Sequence, residues 1–60
     1  MKIKIVGFKV GESRPTANRT AKSGADFRGT ATEYEKYVGA MLIEVLRKSD
    51  FISIRKVSEP

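Results

Sequence analysis

Residues 32–48 read TEYEKYVGAMLIEVLRK, and the spacing inside this stretch decides the fold. Tyr34, Tyr37, Val38, Met41, Leu42, Val45 and Leu46 recur at the i, i+3, i+4, i+7 positions that line one face of an α-helix. At about 100° per residue, Gly39 and Ile43 widen the non-polar arc to roughly two-thirds of the circumference, whereas one packed face needs a stripe of only about 100°. The helix therefore offers apolar surface for a second contact, with another copy of the chain or with a partner protein. Two capping boxes fit its start, Thr30 with Glu33 and Thr32 with Glu35. In each, a threonine hydroxyl accepts from an early backbone N–H and the glutamate reaches back to the cap. Glu33 and Glu35 stand near the positive end of the helix dipole, and Arg47 and Lys48 near the negative end. Gly39 costs about 1 kcal/mol relative to alanine inside a helix, and close approach of another backbone would offset that cost.

Outward from the helix, residues 2–10 and 51–57 read as strands, rich in β-branched residues and alternating over Lys2-Ile3-Lys4-Ile5 and Phe51-Ile52-Ser53-Ile54. The first strand changes phase. Ile3 and Ile5 share one parity, while Val6, Phe8 and Val10 share the other. Either a bulge at Gly7 re-aims the second half toward the same core, or the strand is apolar on both faces, one against the helix and one against a second chain. Lys2 and Lys4 are expected to guard a sheet edge against unwanted pairing. Residues 11–29 read as a long basic loop rich in turn formers, with weaker indications of a short strand near 17–21 or 26–30. The expected fold class is α+β: one amphipathic helix packed on a small, mainly antiparallel β-sheet within a single domain of residues 1–60, completed by dimerisation.

Length makes that last step attractive. Sixty residues bury only about 60% of their unfolded surface, and domains this small commonly rely on disulfides, a metal or oligomerisation. The chain holds no cysteine and no histidine. Disulfides and thiolate metal sites are thereby excluded, along with the commonest metal ligand and the commonest neutral-pH base. Oligomerisation remains, and a homodimer is expected through Val6, Phe8, Val10, Tyr37, Gly39 and Ile43. No segment approaches the ~20 apolar residues of a membrane span, and the first residues lack the pattern of a signal peptide. A soluble, cytoplasmic chain without membrane contact is the expectation.

The formal net charge of +5 points to acidic partners. Arg14, Arg19, Lys22 and Arg28 stand in the 11–29 segment with only Glu12 and Asp26 among them, and Phe27 lies next to Arg28. Arginine forks suit phosphate oxygens, and an exposed phenylalanine stacks on bases. The same residues also suit a solvated loop with Phe27 folded back over the core.

Enzymatic chemistry finds no purchase here. The carboxylates are scattered, and no serine has a histidine base nearby in a chain that contains none. Residues 24–30, GADFRGT, have glycines spaced as in a phosphate-binding loop but lack its lysine and carry Asp26 instead. No catalytic residue, cofactor or metal is therefore expected. The leading expectation is a dimeric protein-binding module whose basic loop contacts an acidic protein surface, such as an accessory modulator or inhibitor of the kind phages and mobile elements encode. The alternative is a small nucleic-acid-binding protein that contacts phosphates through residues 11–29.

Overall fold

The computed structural model describes residues 1–58, which form β1 (Lys2–Phe8), β2 (Ala17–Lys22), α1 (Ala31–Arg47) and β3 (Phe51–Val57). The sheet has the order β2-β1-β3 and both ladders are antiparallel. One helix lies across it, the α+β arrangement expected from the sequence. Within the stretch expected as a loop, residues 17–22 pair with β1 as the second half of a hairpin, where Ile3 meets Ala21 and Val6 meets Asn18. The polar composition of β2 hid it, because alternation is weak where neither face is deeply apolar.

β1 is central, so Lys2 and Lys4 do not guard an edge. Its register runs one-to-one against β3 from Lys2 to Phe8 and against β2 from Lys2 to Gly7, without a bulge. The phase change therefore marks a two-sided strand. Ile3, Ile5 and Gly7 point toward the helix, and Lys2, Lys4, Val6 and Phe8 point away from it. Ile5, Ala21 and Val45, at most 1% exposed, form the centre of the helix-facing core.

Gly7 sets how closely the helix sits. A Cβ there would overlap the Ser49 side chain and lie 2.6 Å from Val45 Cγ1, so the helix end seats directly on bare backbone. The cost of that approach is visible at Ser49, whose buried Oγ has no hydrogen-bond partner. Around this contact the chain is tied by backbone bonds. Asp50 N donates to Phe8 O at 2.8 Å, and Val10 N donates to Asp50 Oδ2 at 2.8 Å, joining the end of β1 to the start of β3. The β1–β2 connection closes with Thr16 N donating to Gly7 O, and it turns at Gly11, whose φ of 84° suits glycine.

Of the two capping boxes, Thr30 with Glu33 is formed. Glu33 N donates to Thr30 Oγ1 at 3.2 Å and Thr30 N donates to Glu33 Oε1 at 3.0 Å. The backbone N–H of Thr30, and then its hydroxyl, hold the Glu33 carboxyl below its ordinary pKa. The Met1 ammonium, with Ser23 assisting, does the same for Asp26.

Four outcomes follow from this packing, all readable by denaturant unfolding. Gly7→Ala is expected to destabilise the fold by about 1–3 kcal/mol, as overpacking does, whereas Ser49→Ala is expected to be neutral or stabilising, because the hydroxyl it removes is unpaired. Thr30→Ala should cost about 1 kcal/mol. The Glu33 contribution, belonging to a carboxyl with a lowered pKa, is complete above the ordinary glutamate value and is lost as pH falls through the lowered one. Glu33→Gln should flatten that part of the stability–pH profile.

Candidate nucleic-acid interface

Charge is sorted between the two layers of the molecule. The strands carry Lys2, Lys4, Arg19, Lys22, Arg55 and Lys56 and no acid. Three acids, Glu33, Glu35 and Glu44, lie on the helix. Because side chains alternate across a strand, register decides which cations reach the face away from the helix. That face holds Lys2, Lys4, Val6 and Phe8 from β1, Asn18, Thr20 and Lys22 from β2, and Phe51, Ser53, Arg55 and Val57 from β3. The Cα extents of 38 × 27 × 10 Å leave room for one helix layer and one sheet layer, so this face is open.

Its two ends differ. At one end Lys4 stands directly opposite Arg55 on β3 and Thr20 on β2, and Lys2 stands opposite Lys22. All four cations are exposed, and Lys2, Lys4, Thr20 and Val57 line a shallow groove. Like charges facing one another across strands destabilise a sheet. No acid among the described residues lies on this face to relieve the Lys4–Arg55 pair. At the other end Phe8 and Phe51 stack, with ring centroids 5.5 Å apart and Phe51 half exposed. Between the ends Val6, flanked in register by Asn18 and Ser53, is only 4% exposed although no helix covers it.

The residues expected to contact a partner do not form one patch. Lys22 reaches the open face. Arg19 points to the helix side, where its Nε lies 3.3 Å from Glu44 Oε2. Arg14 lies in the β1–β2 connection and Arg28 in the β2–α1 connection, at the two ends of β2. Phe27 folds back, its ring 5.1 Å from both Tyr34 and Tyr37. These tyrosines hold the end of β2: the Tyr37 hydroxyl accepts from Lys22 N at 3.0 Å, and the Tyr34 hydroxyl donates to Lys22 O at 2.9 Å.

The expected dimer residues are scattered as well. Val6 and Phe8 lie on the open face, Val10 beyond the end of β1, Tyr37 in the aromatic cluster, and Gly39 and Ile43 on the helix. Sequence reasoning missed Lys4 and Arg55. The Lys2-Ile3-Lys4-Ile5 alternation was the available signal, but only the pairing of β1 with β3 sets Arg55 beside Lys4.

Among the described residues no cluster of acids fit to hold a metal occurs, and no helix is long and apolar enough to cross a membrane. No protein-family model, curated protein or solved structure matches the chain. The fold and the face define it as a one-helix, three-stranded α+β module with a cationic open sheet face, whose described strand residues include no acid.

Proposed function

We propose that this chain is a small, non-enzymatic nucleic-acid-binding protein that holds phosphates on the open face of its sheet. The supporting observation is the Lys4–Arg55 pair: two exposed cations directly opposed in register, with no acid among the described strand residues of that face. Their repulsion is a cost in the free protein that a bound phosphate removes. Lys22 lies on the same face, and Phe51 offers a half-exposed ring to an unstacked base. The cations of the face suit phosphate oxygens, which carry no sequence information, so binding that varies little with sequence is expected.

Fluorescence anisotropy with labelled single- and double-stranded oligonucleotides tests this. Affinity is expected to fall with salt, with a log–log slope of about −2 to −3 for three or four phosphate contacts. Lys4→Glu puts opposite charges across the pair, so it should leave the melting temperature unchanged or higher while weakening oligonucleotide binding about tenfold. Affinity that ignores salt, or a Lys4→Glu variant that binds like the parent, would overturn the reading.

A protein target, with the accessory or inhibitory role expected from the sequence, is the second reading. Phe8 and Phe51 favour it, because an apolar patch rimmed by charge has the anatomy of a protein interface. Polyglutamate binding as tightly as an oligonucleotide at equal salt would move the assignment to an acidic protein surface.

A further inference from the structure

The two edges of the sheet are unequal. β2 is polar along its length, and the outward backbone groups of Lys22 at its end are occupied by the Tyr34 and Tyr37 hydroxyls. Arg19 is drawn over the β2 side of the helix by Glu44. β3 has none of these covers: among the described residues no side chain hydrogen-bonds to its outer edge. The helix lies over β1 and β2 and covers β3 least. Consequently Ile54, on the helix-facing side and opposite Ile5, is 55% exposed, whereas Ile5 is fully buried. By helical spacing Leu46 lies on the flank away from Glu44, and it is 46% exposed. A bare strand edge and an apolar strip thus run along the same side of the molecule. Exposed edges of this kind are templates for further strand pairing.

The geometry points to a second copy of this chain as the occupant, docked edge to edge through β3 about a two-fold axis at Ser53. A two-fold axis perpendicular to the sheet keeps both helices on one face and makes the strands antiparallel. Charge then selects the register. With Ser53 opposite Ser53 of the second copy, Ile52 faces Ile54, Phe51 faces Arg55, and Asp50 faces Lys56, each contact occurring twice. On the helix side this gives isoleucine pairs flanked by opposite charges, and on the open side it lays an arginine against an aromatic ring. Moving the axis to Ile54 sets Lys56 against Ile52 and discards the ion pairs. Moving it to Arg55 sets arginine against arginine. Only the Ser53 register of these three keeps the cations of a +5 chain apart while matching both faces. In that assembly the two open faces join into one six-stranded cationic surface, and Ile54 and Leu46 of both copies close over the seam. The pairing stands on β3 and the helix flank alone, and it holds whether or not the open face binds nucleic acid.

The chain has no cysteine, which makes the register directly readable. Ser53→Cys is a small change on an exposed-edge strand, and its thiol would face its own counterpart at the Cβ–Cβ spacing of about 4.5–5.5 Å found across antiparallel strands. Sedimentation equilibrium of the parent chain is expected to show a dimer, and mild oxidation is expected to cross-link Ser53→Cys quantitatively while Arg55→Cys stays largely uncrosslinked. Lys56→Glu, which sets like charges at both ends of the seam, should weaken the dimer at least about tenfold without lowering the melting temperature of the monomer. A chain that sediments as a monomer at millimolar concentration would overturn the proposal. A dimer in which Arg55→Cys cross-links and Ser53→Cys does not would overturn it equally. Lys4→Glu separates the two assignments, since it should weaken oligonucleotide binding about tenfold and leave the dimer intact.

Discussion

Everything in this small fold depends on the seating of one helix end against one bare piece of strand. Gly7 lets Val45 and Ser49 approach the centre of the sheet more closely than any side chain would allow. That contact fixes which face of β1 is inside. Ile5, Ala21 and Val45 are buried as a result, and Val6 and Phe8 are turned to the other side. The price is a buried serine hydroxyl without a partner, a defect of the size a 60-residue domain tolerates poorly. Asp50 secures the arrangement by tying the ends of β1 and β3 together through its backbone and its carboxylate.

Once the helix is seated, the charges sort themselves. Acids on the helix lie over one face, where Glu44 draws Arg19 to that side. The cations of the opposite parity are left together on the open face, whose described strand residues include no acid. A face of like charges is a standing electrostatic cost, modest in water and screened by salt, and it invites an anionic partner. The aromatic pair at its far end gives the face a direction, cationic at one end and apolar at the other.

The helix also leaves an asymmetry between the edges. It covers β2, whose end is finished by two tyrosine hydroxyls, and neglects β3. Leu46 and Ile54 are exposed because they lie on the neglected side, and Ile43 is exposed on the outer side of the helix. Small domains that cannot complete a core alone commonly complete it with a second copy. The alternation of charge and apolar residues along 50–56 is self-complementary in one register, which is what closed two-fold pairing requires.

The sequence by itself determined the helix, its Thr30–Glu33 cap as one of two choices, the strands β1 and β3 and the α+β class. Those properties rest on local periodicity and capping chemistry, which act over a few residues. The sequence also announced that β1 was apolar on both faces, though it left a bulge as an equal explanation. Only the tertiary structure decided the rest. β2 is held in place by its partner strand and not by its own alternation, so it read as loop with only a weak indication of a strand near 17–21. Lys4 and Arg55 lie fifty-one positions apart and became neighbours through strand pairing alone. Arg14, Arg19 and Arg28, close together in sequence, were separated because a strand runs between them and alternates its faces. Sequence proximity is lost wherever a chain becomes extended, and the face a side chain takes is set by register, a long-range property that no local pattern carries.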